Sequence, residues 1–304
     1  MTENLPFVSV VVPLYNNEAT IRECLQSLLK QDYAKQRYEV IVVDNNSKDR
    51  STEIINEFPV KYAEERKVRS SYAARNKGIN HAKGNIIAFI DADCIADDEW
   101  LRKGVEAILG GGDIGCVAGK VSAYRPLTYV ERYLYRKDIF AQKKEGSPEF
   151  PFPYAKTGNV FYKKEVFAKI GLFEERWISA GDADLSWRMQ LETDFKIKFS
   201  DEAVVFHKHR STLQTMFLQS MKYGIGFSLL CKKYRNKIPS RKPKEVLWVF
   251  FRLFYCFMSA VIFYFCNKEN MPEEKRDVYL DLISFMGWEI GRIIGSVKNR
   301  VFAV

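Results

Sequence analysis

Phe89-Ile90-Asp91-Ala92-Asp93-Cys94 closes an apolar strand that begins at Asn85, and it leaves two carboxylates just past the strand's end. The same event occurs twice upstream. Val8 to Val12 runs into Pro13-Leu14-Tyr15-Asn16, and Glu39 to Val43 runs into Asp44-Asn45-Asn46-Ser47-Lys48-Asp49. Helical patterns over Ala19 to Lys30, Ser51 to Phe58 and Ser70 to His81, with a short strand at Val60 to Ala63, fill the intervals. This is the rhythm of βαβ units. Each polar cluster follows a strand's C-terminal end, and in an open parallel sheet those ends form the crevice where ligands bind.

Downstream the pattern loosens. Asp113 to Lys156 reads as irregular, with a loop rich in Lys, Gly, Ser and Pro from Lys143 to Pro153. A helical pattern returns over Val160 to Arg188, interrupted at Gly171 and at the turn Gly181-Asp182-Ala183-Asp184. After Lys244 the composition changes: Val246 to Cys266 is 21 residues with one charge, Arg252. Such a helix is about 30 Å long, enough to cross a hydrocarbon core, while Arg252 favours an interfacial placement, so spanning and lying flat both stand. Val278 to Ile294, which carries Asp281, Glu289 and Arg292, reads as an amphipathic helix lying on a surface. The expected division is a catalytic domain over residues 1–235, then a basic linker and C-terminal hydrophobic and amphipathic helices over residues 236–304.

Composition narrows the function. A chain of 304 residues, 47% hydrophobic and 28% charged, is neither disordered nor fibrous. Its six cysteines contain no Cys-x-x-Cys pair, which argues against a zinc knuckle or a redox motif and for reduced, buried thiols. Met1 to Phe7 carries no basic stretch, and Pro13 interrupts the apolar run that follows, so no signal peptide is expected and the catalytic part is assigned to the cytoplasmic face of a membrane. Of the net charge of +9, ten Lys or Arg fall between Ala203 and Lys244, where there is no Asp or Glu. An anionic partner is implied. Nucleic acid is set aside, because the basic stretch runs straight into an apolar helix and contains no reader motif.

Alone, Asp91-Ala92-Asp93 reads more readily as a helix cap and solvated acidic turn than as a seat for a hard divalent cation such as Mg²⁺ or Mn²⁺ with a diphosphate. Together with the other strand ends and with Arg75-Asn76-Lys77-Gly78, it describes a nucleotide pocket. Pro13, Tyr15, Asn16 and Asn76 line it, Asp44 accepts from a base N–H, Arg75 faces a phosphate, and Asp91 bonds ribose or sugar. Arg188 stands four residues after Asp184, which fits either a site pair or an ordinary surface ion pair. His207 and His209, two apart on a strand, point the same way.

With those motifs in view, the chain resembles a family 2 glycosyltransferase of the GT-A fold, a Rossmann-like α/β domain. The resemblance runs through VSVVVPLYNNE (8–18), EVIVVDNNSKDRST (39–52), ARNKG (74–78), FIDADC (89–94), GNVFYKKEVFAKIGLFEE (158–175) and GDADLSWR (181–188). It implies an inverting enzyme that moves a sugar from a UDP- or GDP-linked donor to a glycan or lipid-linked acceptor, in surface polysaccharide or glycolipid synthesis. It further implies Mg²⁺ or Mn²⁺ held by Asp93, with His207 as a second ligand, and Asp182 as the base. Asp184 and Arg188 are carried over as substrate contacts. The family's usual Glu-Asp-x-Asp/Glu-Leu is here Gly181-Asp182-Ala183-Asp184-Leu185, so a carboxylate is missing before the base. That departure keeps a second function in play, a membrane-anchored nucleotide-sugar-binding module without turnover.

Overall fold

The computed structural model describes residues 5–265, 271–301 and 303; residues 1–4 and Cys266, which entered the readings above, lie outside them. The strands are β1 (Val8–Leu14), β2 (Tyr38–Asp44), β3 (Lys61–Glu64), β4 (Ile86–Ile90), β5 (Cys94–Ala96), β6 (Ile114–Ala123), β7 (Asn159–Lys163) and β8 (Lys196–His207). The helices are α1 (Ile21–Leu29), α2 (Ser51–Ile55), α3 (Ser71–His81), α4 (Trp100–Leu109), α5 (Tyr129–Arg136), α6 (Lys164–Ile170), α7 (Gly181–Glu192), α8 (Leu213–Lys233), α9 (Pro243–Phe265) and α10 (Glu273–Asn299). One sheet runs β3-β2-β1-β4-β7-β6-β8-β5.

The first four strands are parallel, with β1 between β2 and β4. The chain steps outward from β1 to β2 and β3, then returns to the other side of β1 as β4, so the strand order reverses between β1 and β4. That reversal opens a crevice at their C-terminal ends, where Pro13, Tyr15 and Asp91 emerge. Both faces of the sheet are covered. Val8, Val10 and Val12 pack towards α1 and α4, whereas Val11, Ile41 and Val43 pack towards α3 and α6. Burial on both faces explains the unbroken valine and isoleucine runs that marked these strands in the sequence.

Beyond β4 the sequence reading needs correction. The segment expected to be irregular holds β6 and α5, and the start of the expected helical stretch is β7, which runs antiparallel between β4 and β6. The reason is a buried polar clasp. The Asn159 amide donates to Lys120 O and to Ala203 O, both at 2.8 Å, and its oxygen accepts from Trp100 Nε1 at 2.8 Å. A Cβ on Gly119 would stand 2.4 Å from the Asn159 side chain, so β6 needs its small residues to admit this amide. All these partners are distant in sequence, and no local pattern announces them. The five described cysteines are buried and unpaired, in line with the composition.

The C-terminal part also differs from the surface helix expected for residues 278–294. α10 lies along α8 at unusually close approach: a Cβ on Gly291 would meet Met221 O at 2.1 Å, and one on Gly224 would meet Trp288 O at 2.1 Å. Two of its charges are interior. Glu289 is 1% exposed and takes a bidentate pair of hydrogen bonds from Arg241 at 2.7 Å, while Arg292 donates to Ala303 O. The 235/236 boundary falls between α8 and α9, and α10 crosses back over it. α9 docks through Val249 and Cys256 and leaves Trp248, Phe251, Phe254 and Tyr255 exposed. No helix among the described residues is long and apolar enough to cross a membrane.

Widening Gly291 should open this seam. Gly291→Val is expected to cost about 1–3 kcal/mol or more through overpacking and to lower the midpoint of thermal unfolding, whereas Lys298→Ala, on an exposed position of the same helix, should leave it within roughly 0.5 kcal/mol of the parent. Identical melting curves for the two variants would show that the close approach is not required.

Candidate active site

The ends of β1 and β2 carry the predicted nucleotide contacts. Asp44 is nearly buried and accepts the Ser47 N–H with both oxygens, at 3.1 and 3.3 Å. Asn16 stands at φ 50° and knits the loops together: its N–H donates to Ser47 Oγ (3.0 Å) and its side-chain oxygen accepts from Lys48 N (2.7 Å). Asn tolerates this left-handed backbone because its short side chain bonds locally. Tyr15 projects outward under the Arg69 guanidinium, 4.5 Å from the ring centre. Such an aromatic and cationic edge beside a carboxylate suits a nucleobase and ribose.

At the end of β4, Asp91 pairs with Arg75 from α3. The Arg75 side chain is 4% exposed, and its Nε has no partner. A buried guanidinium with an open donor is suited to an incoming oxyanion. Asp93 follows and meets β8, because β5 pairs antiparallel with it and sets Cys94 opposite His207. His207 Nε2 lies 3.5 Å from Asp93 Oδ1. The other ring nitrogen is held by His209, Nδ1 to Nδ1 at 2.9 Å, and Phe140 stacks on both imidazoles. Burial pulls His209 down to about 4, so it stays neutral. Thus His207 offers Nε2 to the carboxylate, and His209 orients it.

Asp93, Cys94 and His207 present donor atoms within 4.8 Å of one another. A carboxylate and an imidazole suit Mn²⁺ or Mg²⁺, and their separation is close to the ~3 Å between adjacent ligands of an octahedral ion. The Cys94 thiol is a soft donor that a hard cation does not select, and burial and the nearby aspartates push it well above its ordinary range. The residues present therefore fit a hard divalent cation through Asp93 and His207.

Asp182 opens α7. Ahead of it Ala180 stands at φ 66°, a left-handed backbone that costs an alanine about 1–2 kcal/mol and that the surroundings must impose. Two contacts do so. The Gly181 N–H donates to the Tyr72 hydroxyl of α3 at 2.9 Å, and Gly226 of α8 leaves room for Ser179, which a Cβ there would meet at 2.6 Å. A Cβ on Gly181 would lie 2.8 Å from the Tyr72 ring. A glutamate at 181 would therefore collide with Tyr72. Asp182, Asp91, Arg75 and His207 line one cavity of ≈ 640 Å³, whose far wall includes Tyr223 of α8 and Trp288 of α10. Desolvation raises Asp182 above the ordinary 3.8, offset by the Ala183 N–H and by the Arg75 and Lys156 charges.

Three predicted contacts belong elsewhere. Asn76 is buried, with its amide spent on the Phe173 main chain at 2.9 and 3.0 Å. Asp184 is fully buried and bound to Arg188 (3.0 Å), Lys233 (2.7 Å) and Tyr234 (2.9 Å). Arg188 also donates to the Ile170 and Leu172 carbonyls. None of the three lines the cavity, because helical spacing turns Asp184 and Arg188 to the inner face of α7 while Asp182 faces outward. Conversely, Tyr72, Lys156, Tyr223 and Trp288 were missed. Only Trp288 had a signal, the Gly287-x-x-x-Gly291-x-x-x-Gly295 spacing beside it.

Comparison with known proteins identifies the family and the fold. The model of the family described as glycosyl transferase family 2 matches residues 9–171. Glycosyltransferase AglE of Haloferax volcanii is 36% identical over 217 residues, 69% of this chain and 69% of that protein. Among solved structures, the mannosyltransferase PcManGT from Pyrobaculum calidifontis in complex with GDP-Man and Mn²⁺ superposes with a TM-score of 0.63 at 18% identity, covering 98% of this chain and 88% of that one. S. aureus TarS 1–349 in complex with UDP-GlcNAc gives 0.54 at 18% identity, covering 97% and 92%. At these identities the structures establish the GT-A-like fold.

The raised Asp182 carries a rate prediction. A base acts only when ionised, so kcat/KM should climb with pH through an apparent pKa above 3.8 and then level off. Asp182→Asn should lose about 10²- to 10⁴-fold in transfer while keeping nucleotide affinity. If Asp184→Asn instead removes transfer and Asp182→Asn does not, the base is Asp184.

Proposed function

The chain belongs to glycosyl transferase family 2, a family of glycosyltransferases, and on that premise we propose that it is an inverting, metal-dependent enzyme. It uses a UDP- or GDP-sugar and a glycan or lipid-linked acceptor, at the cytoplasmic face of a membrane, in surface polysaccharide or glycolipid synthesis. One observation carries the reading: Asp91, Arg75 and His207 share a cavity with Asp182. A donor-binding pole and a single half-buried carboxylate facing it are what one direct displacement requires.

The nucleoside lies against Asp44 and Tyr15. Arg75 and Asp91 orient the sugar-phosphate end. Asp93 and His207 would hold Mg²⁺ or Mn²⁺, which when bound neutralises charge on the departing diphosphate. Asp182 accepts the proton of the acceptor hydroxyl as that oxygen attacks the anomeric carbon from the face opposite the diphosphate. The C–O bond to the acceptor forms as the bond to the diphosphate breaks, so an α-linked donor gives a β-linked product. PcManGT and TarS, with GDP-Man and UDP-GlcNAc, support a nucleotide sugar and leave both bases open. The fit of Gly181 to Tyr72 gives the departure from the usual motif a steric account, and the alternative, a nucleotide-sugar-binding module without turnover, predicts no release of UDP or GDP from a donor.

Membrane attachment rests on α9. Its exposed Trp248, Phe251, Phe254 and Tyr255 follow the basic run that includes Lys242 and Lys244, an aromatic face beside cations of the kind that lies in a lipid interface. Each basic residue near an anionic surface contributes about 1 kcal/mol, so attachment is salt-sensitive.

Two measurements test these roles. Mn²⁺ with UDP or GDP should raise the thermal midpoint of the wild type, since a ligand of the native state alone stabilises it, and Asp93→Ala or excess chelator should remove both that shift and turnover. Full activity in chelator overturns the metal role. The full-length protein should sediment with phosphatidylserine liposomes at low salt, and Phe251→Glu/Phe254→Glu should stay in the supernatant; a wild type that never sediments rules out attachment.

A further inference from the structure

Two ammonium groups of the cavity that holds Asp182 have no ion-pair partner among the described residues. Lys143 and Lys156 sit on a pair of arms joined by main-chain hydrogen bonds between Lys143 and Tyr154, at 3.3 and 3.0 Å, and both line the cavity that holds Asp182. Among the described residues no carboxylate lies within ion-pair distance of either. Lys137, on the same cavity, contrasts with them, because Asp281 takes its charge at 2.8 Å.

Lys156 is the more constrained of the two. Its main chain is clamped by Gln142, which accepts its N–H at 2.7 Å. Its ammonium donates to Ile139 O at 2.6 Å, one of the three bonds it can make. Burial and the neighbouring Lys143 pull it down to about 8, against the pull of Asp182 and Asp138. It is still mostly charged near neutrality. Lys143 repels the desolvated Lys156, and neither ammonium is ion-paired within the described protein, so both keep donors free for an anionic ligand entering the cavity.

We propose that Lys143 and Lys156 receive an anionic group of the acceptor, a phosphate or a carboxylate, carried close to the hydroxyl that Asp182 deprotonates. This rests on the glycosyltransferase reading and narrows its acceptor. The two lysines belong to the Asp182 side of the site, since the Lys156 charge is one of those that hold Asp182 towards its ionised form. The nucleoside contacts Pro13, Tyr15, Asn16 and Asp44 do not line this cavity, so the donor's base and ribose lie elsewhere. Beside the lysines, Tyr154, Tyr223 and Trp288 offer broad faces with polar tips, against which a sugar ring can pack.

The test is calorimetric titration of the full chain, in Mn²⁺ and UDP or GDP, with glucose, glucuronic acid and glucose 6-phosphate. At least one of the two anionic sugars should bind about tenfold or more tighter than glucose, as expected for a charge-assisted contact, and which one does so separates carboxylate from phosphate. Lys143→Gln and Lys156→Gln should each erase most of that preference, and Lys156→Arg should keep it, with the nucleotide-induced thermal shift unchanged in all three. Should Lys156→Gln fail to fold, exposed Lys143 carries the test, and Lys143→Glu should favour glucose. Equal binding of the three sugars, or an unchanged preference in the glutamine variants, overturns the proposal. So does a matching loss of nucleotide binding, which assigns the lysines to the donor diphosphate. If no nucleotide stabilises the wild type, the parent reading fails, and the same titration without nucleotide decides the anion site by itself.

Discussion

The hydrogen bond from the Gly181 N–H to the Tyr72 hydroxyl ties the start of α7 to α3 at the edge of the site. Tyr72 belongs to the helix that also carries Arg75, whose guanidinium lies 5.6 Å from the Tyr72 ring centre, and it stacks on Phe173 at 5.5 Å. Asp182 therefore inherits its position from the same helix that positions Arg75 and, through it, Asp91. A glutamate at 181 has no room beside that ring. Here the Tyr72 hydroxyl holds the turn through the Gly181 N–H.

The donor pole depends on a different long-range event. Asp93 lies at a strand end that the βαβ rhythm already located, but its partner arrives only because β5 pairs antiparallel with β8. His209 then occupies the second nitrogen of His207 and leaves the first for the carboxylate. Outer partners of this kind fix a ligand's tautomer and ring orientation, which a loop residue by itself does not achieve.

The close seam between α8 and α10 gives the cavity its remaining wall. Glycines at 224 and 291 bring the backbones together, Gly226 leaves space for Ser179 ahead of the base, and Trp288 reaches the cavity from the far helix. The C-terminal segment is thus continuous with the site. Glu289 and Arg292, which looked like the polar face of a surface helix, serve this packing as interior charges with Arg241 and the Ala303 carbonyl as partners.

The sequence by itself determined the parallel half of the sheet, because strands buried on both faces must be apolar throughout and must end in polar residues where they surface. Asp44, Asp91 and Asp93 were legible for that reason, and Asp182 through its motif. The motif put Asp182 at the base position and Asp184 among the substrate contacts, but which way the helix turns each of two carboxylates two residues apart was set by packing. Tertiary structure decided that Asp184, Arg188 and Asn76 are interior clasps, and that β6, β7 and α5 occupy a stretch without local periodicity. It also decided that Tyr72, Lys143 and Lys156 line the same cavity as Asp182. Each of these outcomes depends on partners dozens of residues away, and local pattern carries no information about contacts that exist only once the chain has closed on itself.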